Sequence, residues 1–320
     1  MLEAEPPISP GVKTEDREAD SKVESIINQV KEYREAENFE EALKLLKIAL
    51  EKFPQNEYRE KLQIERADLH YFWADYLKEK YDYANAIKHF ELAYAIDKNY
   101  RPKDAANSLS NIGRVYSNLG QNQKALAYYE KALPIFQAVR DRAKEAGTLN
   151  NLMFCWNSLK NTQISIFYGK QSVNAYQNLW ANISKMDRMI KKSYLEIQED
   201  TYRFLAGLLI DEGRLSEAQH VLDMLKEKEY FDFTSKDQST TPTYSQLDFT
   251  GFENQWLDKY RKVTKDYSAI SGDYYLLKKK KIKNETEKKR LKELEASLEQ
   301  YQKVYNQYLA EMKKAFDSWR

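Results

Sequence analysis

Histidine and cysteine are the side chains here whose spacing could announce catalysis or metal binding. The three imidazoles, His70, His89 and His220, are scattered along the chain. None stands at i, i+4 from another, the spacing that puts two ligands on one helix face, so no metal site is expected. Cys155 is the one thiol, which excludes an intramolecular disulfide and a multi-thiolate zinc site. It sits between Phe154 and Trp156, where a small apolar side chain packs into a core, and no histidine adjoins it, so a nucleophilic role is not expected. Gly113 and Gly120 suit helix packing and capping rather than a phosphate-cradling loop. No catalytic residue, metal or cofactor is therefore assigned, and the chain is read as a non-enzyme.

Two other sets of residues suit binding. Lys278, Lys279, Lys280, Lys281, Lys283, Lys288, Lys289, Arg290 and Lys292 stand against only Glu285 and Glu287 between positions 278 and 292. A patch this basic can hold phosphates, with Tyr274 and Tyr275 upstream as stacking partners, or can simply be a solvated hinge, which is the favoured reading. The whole chain carries 51 basic and 50 acidic residues, a formal charge of +1, so nucleic acid is not expected as the main partner. The second set is Asn107, Asn111, Arg114, Asn118, Asn150, Asn151 and Asn157. An amide side chain offers donors and an acceptor and can hold a peptide backbone without reading its side chains. Asparagine is a mediocre helix former, so several of them on helical segments hint at use.

The elements that must position these residues follow from composition and period. Only 9 Gly and 7 Pro occur, with 42% hydrophobic and 32% charged residues, a balance that fits many amphipathic helices joined by short loops. Spacing repeats along the chain. Tyr33, Phe39, Ala42, Leu46 and Ala49 are echoed by Trp73, Tyr83, Ala86, Phe90 and Ala93, and again by Ile112, Gly113, Tyr116, Ala125, Tyr129 and Ala132. A weaker copy spans 150–173 and a clear one 202–225. The five units are anchored at Ala42, Ala86, Ala125, Ser165 and Ala218, spaced more widely than the ~34 residues of a minimal unit of this kind. Gly120 and Gly213 end first helices in the left-handed conformation; Glu37, Tyr81 and Lys160 stand at the equivalent places, where less regular turns are expected.

The pattern resembles a tetratricopeptide repeat (TPR). The expected fold class is all-α: a TPR superhelix, or α-solenoid, of about five elongated helix pairs followed by a C-terminal helical hairpin. The expected domains are a flexible leader at 1–20, the superhelix at 21–233, a Ser/Thr-rich loop at 234–249 and the hairpin at 250–320. Within the last, Leu294, Leu298, Tyr301, Tyr305, Tyr308, Met312, Ala315 and Trp319 recur at intervals of three and four and leave self-association open. No apolar stretch is long enough to span a membrane, and no signal peptide is evident, so the expectation is a soluble, cytoplasmic protein without a membrane partner.

Segments 164–179 and 199–233, with Gly213-Arg214-Leu215, Glu217-Ala218-Gln219 and Glu229-Tyr230-Phe231, also resemble the repeat region of the bacterial CHAT-domain proteins, which are caspase-like peptidases. That resemblance implies a sensor or regulatory arm whose partner is a CHAT peptidase domain or a nucleoprotein effector complex. The family's catalytic His and Cys belong to the peptidase domain, and neither residue type occurs from Val221 to Arg320. No proteolytic role passes to any residue here. The leading expectation is a scaffold that binds a protein or peptide in the groove lined by the first helices.

Overall fold

The computed structural model describes residues 14–183, 188–234, 245–278, 280 and 284–319. They form twelve α-helices and, among the described residues, no strand. Contacts divide the chain into two compact units, Met1–Tyr100 and Arg101–Arg320.

Unit 1 holds α1 (Thr14–Glu35), α2 (Phe39–Lys52), α3 (Asn56–Glu79) and α4 (Tyr83–Asp97), paired α1 with α2 and α3 with α4. The small residues Ala42, Ala49, Ala74, Ala86 and Ala93 are buried where helices approach closely, because a larger side chain there would hold the axes apart. Val23 and Val30 of α1, Leu46 of α2 and Leu62 and Leu69 of α3 fill the space between them. Phe39 stacks on Trp73 with ring centroids 5.4 Å apart. Helix α1 begins at Thr14, inside the stretch expected to be a leader, while residues 1–13 lie outside the described ones.

Unit 2 holds α5 (Pro102–Asn118), α6 (Asn122–Ala138), α7 (Arg142–Ser158), α8 (Thr162–Ile183), α9 (Arg188–Asp211) and α10 (Leu215–Thr234), which complete five helix pairs, followed by α11 (Gly251–Lys278) and α12 (Glu285–Ser318). Gly113 of α5 lies against Tyr129 of α6 so closely that an added Cβ would come within 2.8 Å of the ring. Ser165 takes the place of the usual alanine in the fourth pair. Its buried hydroxyl donates to the Met153 carbonyl at 2.8 Å, which removes the cost of burying it.

The hairpin falls in the same contact unit as α5 to α10. Helix α11 packs on α6 and α12 touches α8, and Leu294, Tyr301, Tyr305, Tyr308, Met312 and Phe316 of α12 are buried. The apolar ones, Leu294, Met312 and Phe316, contribute about 1.5–3 kcal/mol each when fully buried. Five of the six, all but Leu294, join the same core cluster as Tyr129, Phe167 and Tyr202 of the repeats. At the end of α12 the buried position is Phe316, with Ala315 and Trp319 only half-buried, a shift from the expected seam. An Asn284 and Glu287 capping box starts that helix.

The turns correct one expectation. Glu37, Tyr81, Arg140 and Lys160 adopt φ of 59°, 62°, 57° and 63°, matching Gly120 and Gly213 at 71° and 70°. All six close with the same pair of backbone bonds, as when Tyr81 and Asp82 donate to the carbonyls of Lys78 and Leu77. The turns without glycine are therefore as regular as those with it. Satisfying two carbonyls that end the helix outweighs the left-handed cost of about 1–2 kcal/mol for a residue with a Cβ.

Candidate functional site

The amide row divides once the helices are packed. Helices α5 and α7 touch, each packed mainly on other helices, α5 on α6 and α7 on α8 and α6. Arg114 and Asn118, one turn apart on α5, are exposed, and Asn107, Asn151 and Asn157 are half-buried. Asn107 donates weakly to Asp104 at 3.4 Å. Asn111 is only 7% exposed, and Asn150 accepts from the Thr201 hydroxyl at 3.0 Å. That bond ties α7 to α9 beside the Phe154 and Phe204 rings, whose centroids are 4.4 Å apart.

A working amide clamp occurs elsewhere, on α8. Residues 245–250 run without helix to the start of α11. Asn174 donates to the Leu247 carbonyl at 3.0 Å and accepts from the Leu247 amide at 2.7 Å. Lys170 donates to the Asp248 carbonyl at 2.9 Å. Leu247 is buried, and Phe249 meets the Phe167 ring edge-on at 6.0 Å. The backbone of this segment is thus held by side chains of a repeat helix.

Beneath it lies a quartet of charges. Lys170 and Glu253 are both buried, 2.9 Å apart. Glu253 also accepts from Arg214 at 3.0 Å and from the Thr250 amide at 2.8 Å. Glu217 pairs with Lys170 and, at 2.7 Å, with Arg214. Burial opposes the charge on Glu217, but hydrogen bonds from Arg214 and Lys170 outweigh it and hold its carboxyl below the ordinary range. Burial likewise opposes the charge on Arg214, and the carboxylates of Glu217 and Glu253 overcome it and raise its pKa. Two cations and two carboxylates cancel, and together they join α8, the start of α10 and α11. Sequence reasoning missed this set. Its one signal is Lys170, the single charged residue in the stretch 164–173.

The residues first weighed for catalysis fall apart. Cys155 is buried, and burial pushes its thiol up to about 11, which leaves the thiolate scarce at neutral pH. His220 is half-buried on α10. His70 and His89, far apart in sequence, meet across α3 and α4 with their Nδ1 atoms 3.0 Å apart, one donating and the other accepting. Burial first, then His89 and Arg66, lower His70 to about 4. Among the described residues no cluster of three or more metal-ligating side chains exists, and no helix is long and apolar enough to cross a membrane.

Three described members of the lysine cluster are paired with carboxylates. Lys280 pairs with Glu287, Lys288 with Glu285 at 2.7 Å, and Arg290 with Glu293 at 3.4 Å. Lys278 donates to the Tyr274 hydroxyl, and Lys289 is exposed. Lys279, Lys281 and Lys283 lie outside the described residues, as does the loop from 235 to 244.

Residues 65–138 match the family model for tetratricopeptide repeats. The match covers part of α3 and all of α4, α5 and α6, including Arg114 and Asn118. Solved structures of the same helical kind include BtubC (BKLC) from P. vanneervenii, at 18% identity and TM-score 0.46, covering 72% of this chain and 89% of that one. A putative kinesin light chain from Podosopora anserina with nearly identical TPR-like repeats matches at 20% identity and TM-score 0.39, covering 69% and 98%. Aspartyl phosphate phosphatase F from Bacillus subtilis matches at 13% identity and TM-score 0.43, covering 94% and 71%. The comparison with curated proteins gave no match. Tetratricopeptide-like helical repeats are typical of scaffolds that bind other proteins. The family match concerns the repeats alone and lends nothing to the CHAT resemblance.

Proposed function

We propose that the chain is an interaction scaffold in which the adjacent helices α5 and α7 hold an extended segment of a partner protein. Arg114 and Asn118 are the exposed contacts, and Asn107, Asn151 and Asn157 are the half-buried ones. Asn111 and Asn150 serve the packing that sets the row. One observation carries the reading: Asn174 grips the Leu247 backbone from both its donor and its acceptor side, so repeat helices of this chain hold non-helical backbone by amide side chains. Amides that bind backbone tolerate many sequences, and specificity then comes from flanking pockets and charge such as that of Arg114.

The test is selection of a peptide library on the intact chain, followed by titration of the winning peptides against the Arg114→Ala/Asn151→Ala double variant. Weaker binding at unchanged helicity supports the assignment. Equal affinity removes it, because both substitutions truncate side chains that would touch the peptide.

A further inference from the structure

Unit 1 carries a cleft that the proposed peptide row does not use. It opens between α2, α3 and α4, holds about 690 Å³, and has an apolar floor of Leu43, Leu92 and Ile96. Leu92 is 40% exposed, so the floor offers apolar surface to a ligand. Around the floor stand Lys44, Lys47 and Arg66, with Glu40 as the carboxylate on the rim. Lys44 is already paired with Glu41 at 2.6 Å.

Arg66 is the decisive side chain. It is half-buried, and its Nε is shut off from solvent with no hydrogen-bond partner among the described residues. Burial first, and then the like charge of Arg59, hold its pKa below the ordinary arginine value. A half-buried guanidinium with one N–H shut off from water and no carboxylate beside it is costly, and an anion meeting its remaining N–H groups offsets part of that cost. A planar guanidinium suits a carboxylate best, because two parallel N–H groups meet two oxygens.

From this geometry we infer that the cleft docks an acidic, amphipathic segment of a partner protein, with a carboxylate on Arg66 and apolar side chains over Leu43, Leu92 and Ile96. Lys47 then faces a second acidic position. Nucleic acid suits the site less well, since bases are held by flat aromatic platforms and this floor is branched aliphatic.

The probe is a labelled synthetic peptide of about four helical turns, with Leu at helix-face spacing and Glu between, set beside a twin in which every Glu is Lys. Fluorescence anisotropy with the intact chain should show saturable binding of the Glu peptide, weakened by added salt, and none of its Lys twin. Arg66→Gln and Lys47→Glu should each weaken binding about tenfold, the size of one charge-assisted hydrogen bond, and Leu92→Asp should abolish it. Arg114→Ala/Asn151→Ala should leave it unchanged, so this site and the peptide row fail independently. Lys47 and Leu92 are exposed, so those variants keep the fold, and Arg66→Gln should not lower Tm. No binding of the Glu peptide, equal binding of the Lys twin, or indifference to the three substitutions overturns the proposal. A Leu92-dependent rise in mass with protein concentration would assign the cleft to a second copy of the chain and overturn it as well.

Discussion

Both units are built from helix pairs with the same left-handed turn, yet two of their clusters of half-buried and buried charged or titratable groups differ in what they are paired with. In unit 2, Lys170, Arg214, Glu217 and Glu253 neutralise one another, and the quartet seats α11 on the repeats. In unit 1, Arg66 keeps its Nε without a partner and His70 has only another imidazole, His89, at its Nδ1. The charge of the unit 2 quartet is consumed by architecture. Arg66 and His70 of unit 1 are left to respond to a ligand or to protons, which is why these two clusters should separate under mutation and under acid.

The largest separation is expected from Glu253→Gln. Glu253 is fully buried and serves Lys170, Arg214 and the Thr250 amide at once. Removing one member of a buried ion pair costs about 3–5 kcal/mol, because the remaining charges stay desolvated. Hydrogen exchange should quicken in α11 and α12 while α3 and α4 keep their protection. Equal loosening of both units, or none, would break the contrast.

Acid should act on the other side. His70 titrates near 4 in the folded chain and near 6.5 in an unfolded one. Its folded pKa is the lower, so the unfolded chain binds the proton first as pH falls, and stability is lost progressively from about 6.5 down to about 4. At about 1.4 kcal/mol per unit the loss reaches about 3 kcal/mol at the acid end. Exchange in α3 and α4 measured at pH 7 and pH 5 should show the drop, and His70→Asn should flatten it. If the acid response is the same in His70→Asn, His70 is not its source.

Some of this was legible in the sequence. The five helix pairs follow from buried small residues at Ala42, Ala86, Ala125 and Ala218 with apolar residues at helical spacing, and both signals are local. The meeting of His70 and His89 was readable in principle, since the two stand about equally far from the turn at Lys80 and Tyr81 and an antiparallel pair must bring them level. Lys170 with Glu253 was not, because their contact depends on how the hairpin docks and no local pattern encodes that. The amide row was legible as residue types but not as surface: Asn111 is buried and Asn150 is spent on Thr201, and both facts depend on the rotation of one helix against the next.

The turns give the finest test of the contrast. Both left-handed turns of unit 1, at Glu37 and Tyr81, lack glycine, whereas unit 2 has glycine at Gly120 and Gly213 and not at Arg140 and Lys160. Sharing a hydrogen-bond pattern does not mean sharing a cost, because a Cβ at positive φ crowds the backbone and a glycine does not. Tyr81 is 77% exposed, so Tyr81→Gly removes little beyond an edge contact with Tyr83. It should gain up to about 1 kcal/mol after the unfolded chain's added freedom is subtracted. Gly120→Ala should lose about as much, and since an added Cβ there meets nothing within 4 Å, the loss is backbone strain alone. Denaturant melts of the two variants should move in opposite directions. If both fall, the tyrosine ring and not the backbone sets the stability of the unit 1 turn.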